Sequence, residues 1–397
     1  MVITNIPEKE KTEPTWIDRF MQKMAIIPVR YTKEILITSA IGIILALVVS
    51  SQIKPSYNPL LWFQKGEMHR VATETIDSTM HGSTSIEIVI DAKKENAWTN
   101  PEKLKKLDTL TQKIEAYKDQ YIEVGKVFSL VTITKETNRA LHENSEKFYT
   151  IPNNQKLLAQ ELLLFENSGS DDLEDVVDSQ FSKARVTVKV PWVDAIKAKQ
   201  IMTFLDTELT KSFPNDSVAI TGMVPLLINT FSNAVFSSIK SYLLAFFAIT
   251  FVMMFILGSV RLGLLSMIPN IVPILAGLFL MYSASMALDI FTLLIGSIAI
   301  GLAVDDTIHF IHNFKRYYLE YGDSSKAIEK TFLTTGKAMF ITTMVLSSGF
   351  FIYFTSSMIS IQNFGVLTGF IILFALISDL VLAPALMIMA VERGWME

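Results

Sequence analysis

The stretch GLAVDDTIHF, Gly301 to Phe310, sets two adjacent aspartates inside a run that otherwise reads as membrane helix. An ionised carboxylate in hydrocarbon costs several kcal/mol, so such an acid faces a bundle interior, where it titrates, pairs or binds an ion. Asp305 and Asp306 repel each other when both are ionised, which favours keeping a proton on one of them. That is proton-relay chemistry. The helical pattern continues through TIHFIHNF to the first cation, Lys315, leaving about 14 Å of helix beyond the pair at 1.5 Å per residue. His309 lies at i+4 from Asp305 and i+3 from Asp306, on their face, as a hydrogen-bond partner or second proton acceptor. His312 follows one turn later, as an interfacial residue. Thr342 and Thr343, counted from Lys337, and Asp379, counted back from a helix end near Val391, fall at a similar depth. Threonine hydroxyls at such positions either serve a carboxylate or bond their own backbone carbonyl. Pro384 is placed to open the helix next to Asp379.

Two other chemistries fit less well. Asp, Asp, His and His on one helix match no familiar metal-ligand spacing, so no metal is expected. An intramembrane aspartyl protease needs acids from two helices in YD and GxGD contexts, which do not occur at Asp305, Asp306 or Asp379. The chain is therefore not expected to be an enzyme.

The elements that position these groups are apolar and long. Half of the 397 residues are hydrophobic and 19% are charged; the mean hydropathy is +0.37, which marks an integral membrane protein. Charge-free runs predict six transmembrane helices, at residues 34–53, 239–259, 263–284, 289–312, 337–356 and 361–391, each reaching the ~20 residues a bilayer needs. The last two come from one run, Ala338 to Ser378, broken at TSSMISIQN. No small-residue cleavage site follows the first span, so it reads as uncleaved. Lys and Arg cluster in alternate connections (Lys23, Arg30 and Lys33; Arg261; Lys315 to Lys337; Arg393), which predicts both termini in the cytoplasm and a cytoplasmic, or inner, membrane location. Residues 54–238 are then extracytoplasmic. A net charge of −4 gives no basic field for nucleic acid, and the absence of cysteine removes disulfide and thiolate chemistry.

Within residues 54–238, STSIEIVI alternates like a strand, Leu104, Leu107, Leu110, Ile114 and Tyr117 share a helical face, and EVGKVFSLVTI (Glu123 to Ile133) reads as a second strand. ARVTVKV, a helix over about 193–213, and DSVAITGM repeat the order. Two βαβ units predict a ferredoxin-like α+β domain. Residues 136–180 look helical, and their acidic run, Ser168 to Asp178, reads as a solvated loop and helix face. No helix breaker follows Pro225, so the second membrane helix is expected to begin well before the hydrocarbon.

The segments GSVRLGLLSMIPNIVPIL, LDIFTLLIGSIAIGLAVDDTIHFIHNFKRY, AIEKTFLTTGKAMFITTMVLSSGFFIYFTSS and FGVLTGFIILFALISDLVLAPAL resemble the resistance-nodulation-division (RND) superfamily of transporters, most closely its MMPL-type branch of lipid and hydrophobe exporters. The resemblance implies proton-driven transport with no cofactor beyond the proton gradient. It places Asp305 and Asp306 where the family has its relay acids and Thr342 or Thr343 where a helix-five hydroxyl supports them. A relay lysine of the drug-efflux branch has no counterpart in the span 289–312. Members usually carry two six-helix halves, and WIDRFMQKMAIIPVRYTKEILI resembles the lead into a second half. The expected partners are a hydrophobic substrate, a second copy or a separately encoded first half, and a periplasmic adaptor. Gly365 and Gly369 form a GxxxG that, with Gly301, is read as serving helix packing. The alternative within the same superfamily is a lipid-sensing protein or a protein-translocation accessory subunit.

Overall fold

A computed structural model describes residues 14–53 and 55–396; of residues 1–33, expected as a cytoplasmic amphipathic segment before the first span, the first 13 lie outside them, as does Lys54. The chain divides into two compact units, Ser56–Ala234 and the remainder.

Helix α1 (Trp16–Arg30) starts at a capping box in which Thr15 accepts from the Asp18 N–H while the Thr15 N–H donates to Asp18 at 2.8 Å. The Lys337 ammonium donates to the same carboxylate at 2.7 Å. Lys337 first, then Thr15, hold the Asp18 carboxyl down to about 2. After α2 (Thr32–Ser50) and α3 (Met68–Met80), the smaller unit is built from β1 (Thr84–Asp91), α4 (Pro101–Glu115), β2 (Lys126–Phe128), α5 (Leu130–Leu141), α6 (Gln155–Glu166), β3 (Lys183–Val190), α7 (Lys199–Ser212) and β4 (Ser217–Thr221). Its sheet runs β2-β3-β1-β4 with every neighbouring pair antiparallel. The units β1-α4-β2 and β3-α7-β4 thus interleave, each closing around a strand of the other, the ferredoxin-like arrangement. Alternation puts Ile86, Ile88 and Ile90 of β1 and Val186 and Val188 of β3 in the core with Leu104, Leu107 and Leu110 of α4 and Leu205 of α7.

Two local expectations are corrected. The strand read over Glu123–Ile133 is a three-residue ladder, because Ser129 accepts from the Val131 N–H and caps α5. The β-branched residues that follow then bury Val131, Thr134 and Thr137 at helical spacing, so packing overrides strand propensity. The helix read from residue 193 begins at Lys199, since the Asp194 side chain accepts from the Ile196 N–H in a turn before it. In the acidic run, Asp171, Asp172, Glu174 and Asp175 are exposed while Leu173, Val176 and Val177 are buried.

Glu161 of α6 is 2% exposed, and neither carboxyl oxygen has a hydrogen-bond partner. Burial pushes its carboxyl up, opposed by the charge of His142. A raised folded value means that ionisation opposes folding, so this group destabilises the unit as pH rises above 4.5 toward neutrality. Glu161→Gln is therefore expected to stabilise the unit at pH 7 and to have little effect at pH 4. Amide exchange on α5 and α6 of the full chain checks this; equal effects at both pH values would contradict it.

The second unit continues with α8 (Met223–Leu257), α9 (Val260–Ser283), α10 (Ile290–Tyr321), α11 (Ser324–Thr331), α12 (Lys337–Phe351), α13 (Ile359–Ile377) and α14 (Ala383–Glu392). With α2, these make six helical stretches among the described residues that are long and apolar enough to cross a membrane. Three are longer than the hydropathy runs. The second starts at Met223, the fourth runs to Tyr321, where Gly322 ends it in the left-handed region, and the fifth starts at Ser324. Charged residues end a hydrocarbon crossing and not a helix, so Lys315, Arg316 and Lys330 lie within helices. Two π-turns interrupt the ladders, Phe332–Gly336 between α11 and α12 and Ser378–Leu382 between α13 and α14.

Candidate functional site: a carboxyl cluster within the helix bundle

Prolines shape the walls of the site. Pro273 lacks the N–H that would bond the Pro269 carbonyl one turn back in α9, and the hydroxyl of Ser378 donates to that carbonyl instead, at 2.9 Å. Pro384 likewise leaves the carbonyl of Leu380 without its usual helical donor, inside the second π-turn. That turn swings Asp379 into the bundle. π-turns of this kind occur often at functional sites.

Asp379 is 1% exposed. Its Oδ1 lies 2.6 Å from the hydroxyl of Thr307, and its Oδ2 has no partner among the described residues. The Thr307 hydroxyl also lies 2.8 Å from Asn270 Oδ1 and 3.0 Å from the Ala303 carbonyl. The Asn270 amide nitrogen donates to the Ser266 carbonyl at 3.0 Å, which turns its oxygen toward Thr307. One hydroxyl hydrogen thus faces three acceptor oxygens. The cluster is a hydrogen short unless a carboxyl supplies it.

One residue before Thr307 on α10, Asp306 is partly buried and opens onto a cavity of about 550 Å³. Asp305, His309, Asn313, Thr335 and Thr343 share that cavity. No lysine or arginine lines it among the described residues. Lys315, though on α10, donates to the Leu257 carbonyl at the end of α8. Asn313 donates to the Thr335 hydroxyl at 2.9 Å, tying α10 to the first π-turn. Asp305 and His309 are the exposed part of that lining. Their side chains are 74% and 66% exposed and 3.7 Å apart, longer than a hydrogen bond.

The other expected residues divide. Thr343 is 2% exposed and lines the cavity. Thr342 lines the cavity too, but it is exposed, and its hydroxyl bonds the backbone carbonyls of Ala338 and Met339. Gly365 and Gly369 lie against the Phe350 carbonyl and the Phe351 ring, where an added Cβ would come within 2.5 and 2.8 Å; their close packing is to the end of the preceding helix. Gly301 has open space where a Cβ would stand, so the packing read for it does not occur among the described residues. Asp289, the remaining carboxylate of α10's start, is its capping residue.

Sequence reasoning missed Thr307 and Asn270. Both were in quoted segments, Thr307 directly after the aspartates and Asn270 between two prolines, but nothing in their spacing says that α9, α10 and the π-turn meet there. No metal-binding group of three or more His, Cys, Asp or Glu occurs among the described residues. In comparisons with known proteins, the model of the MMPL family matches residues 62–397. No curated protein matches the chain.

Proposed function

Because the chain belongs to the MMPL family, a membrane-embedded family of RND-type transporters of hydrophobic substrates, we propose that it drives export of a lipid or a drug-like amphipath with the proton gradient. Asp305 and Asp306 line a cavity in a membrane-crossing bundle, Asp379 bonds Thr307 beside them, and no lysine or arginine is among the described lining residues. That observation carries the reading. Carboxylates at this depth need a counter-charge, and where no lysine or arginine supplies one, a proton is the remaining choice.

In this reading Asp306 exchanges protons through the cavity. Asp379, behind it, donates to the Thr307 hydroxyl when protonated, which leaves that hydroxyl's hydrogen for Asn270; when Asp379 ionises it takes that hydrogen itself, and Asn270 Oδ1 loses its donor. Protonation thus has a mechanical consequence at the π-turn that Ser378 staples to α9. The two conformations that alternate access requires differ in whether this turn is held.

Both termini are assigned to the cytoplasm and the ferredoxin-like unit to the outside, as the substrate-handling part. The high exposure of Asp305 and His309 supports a partner, because polar groups in hydrocarbon are tolerated where protein or a water-filled cavity meets them. A second copy of this chain, or a separately encoded first half, would cover them. A periplasmic adaptor is compatible with the same assembly. The experiment is gradient-driven movement of a fluorescent lipid analogue in vesicles, with and without a protonophore. Movement that ignores the protonophore would remove the proton-coupled reading, and slowed protein secretion with unchanged lipid handling in a deletion strain would favour the accessory role.

A further inference from the structure

On the other side of the Asp379 turn lies a second, apolar cavity of about 510 Å³, within the size range of small-molecule sites, ~300–1,000 Å³. It is a groove between α2, α9 and α13, lined by Gly42, Ala276 and Phe374 along its length, with Ser378, Val381 and Leu382 of the π-turn as part of its wall. Chain direction orders it: Ser39 and Val381 stand at the end of the bundle nearest the termini, and Phe279 and Leu45 at the other.

Three features point to an occupant. Gly42 has nothing within 4 Å of where its Cβ would be, so α2 presents a notch where any other residue would fill the groove. The Ser39 hydroxyl, in the lining, has no hydrogen-bond partner among the described residues. Its neighbour Thr38 bonds the Glu34 carbonyl at 2.8 Å, and Ser378 is engaged with Pro269. An unpaired hydroxyl at membrane depth is unfavourable without a ligand acceptor. Finally, no charged residue lines the groove. A free carboxylate would find no counter-ion there, whereas an ester carbonyl would find a neutral donor.

We propose that this groove binds one acyl chain of a membrane phospholipid, with the ester end near Ser39 and the chain resting on the turn that carries Asp379. The placement in hydrocarbon follows from the six membrane-crossing helices. The proposal deepens the export reading by giving its substrate class a site; the binding itself does not depend on proton coupling.

The test uses the full chain in phosphatidylethanolamine/phosphatidylglycerol vesicles containing a trace of phospholipid with a diazirine near the end of one acyl chain. Photolabelling is mapped by peptide mass spectrometry. Label is expected to concentrate on Ala276, Phe279 and Phe374, above that on the exposed α8 residues Phe247, Phe251 and Phe255, which report general lipid contact. Gly42→Phe puts a ring where the notch is, so it should cut the groove label about tenfold or more while leaving the α8 label unchanged. Thermal unfolding in detergent at the native chain's temperature shows that the variant is folded. Ser39→Ala should lower the groove label less. Even labelling of groove and α8, unaffected by Gly42→Phe, would overturn the site; competition by free fatty acid or a sterol but not by phospholipid would overturn the assigned ligand. The Asp305→Asn, Asp306→Asn double variant should label as the native chain does, so the transport reading can fail while this one stands.

Discussion

Asp306→Asn is expected to abolish gradient-driven transport while the protein still inserts and folds. The amide keeps the size of the side chain and its place on the cavity wall but carries no exchangeable charge. A positioned proton-transfer group supplies about 10²–10⁴ in rate, so transport should fall at least about a hundredfold. Asp305→Asn is expected to be milder in this chain alone, because Asp305 faces outward, 74% exposed beside His309. If a partner covers that face, the Asp305 effect should appear only in the assembled complex. The measurement is initial-rate uptake of a lipid analogue into inside-out vesicles at matched protein levels. Equal losses from both variants in the isolated chain would contradict the division of labour drawn from their burial.

The second large effect concerns stability. Thr307→Val keeps shape and removes the hydroxyl that Asp379 Oδ1, Asn270 Oδ1 and the Ala303 carbonyl share. Since Asp379 Oδ2 already lacks a partner, the variant leaves the whole carboxyl unbonded in a site closed to solvent. An unsatisfied buried polar group costs about 1–3 kcal/mol, and Asn270 loses its acceptor contact as well, so the upper part of that range is expected. Asp379→Leu added to Thr307→Val should recover part of the loss, because groups in one network couple by about 0.5–3 kcal/mol. Thermal unfolding in detergent, measured for both singles and the double, reads this coupling. Strict additivity would show that the 2.6 Å contact contributes nothing.

The fold was legible where a pattern repeats. Six apolar runs and two strand–helix–strand repeats follow from hydropathy and alternation, since burial in lipid or in a sheet imposes its own period. Boundaries were not legible where a helix outruns the hydrocarbon, as at Met223 and Tyr321, because the run measures the solvent and not the hydrogen-bond ladder. The Glu123–Ile133 stretch misled because its β-branched residues are used on a helix whose start is decided by one serine, Ser129. At the site, residue type announced Asp305, Asp306 and Asp379. Which of them is buried depends on helix rotation and on a π-turn, and a single sequence shows neither. Thr342 and Thr343 both line the cavity, yet Thr342 is exposed and bonds its own backbone while Thr343 is buried. Depth along the helix could be counted in advance; azimuth could not.

The central claim is that protons at this carboxyl cluster drive substrate movement. Its most direct test is the Asp305→Asn, Asp306→Asn double variant in sealed vesicles under an imposed pH gradient, with a pH-sensitive dye and a fluorescent lipid analogue followed together. The account predicts that the native chain shows substrate-dependent proton flux and that the double variant, inserted to the same level, shows neither flux nor movement against a gradient. Continued uphill movement of the analogue in the double variant would contradict it.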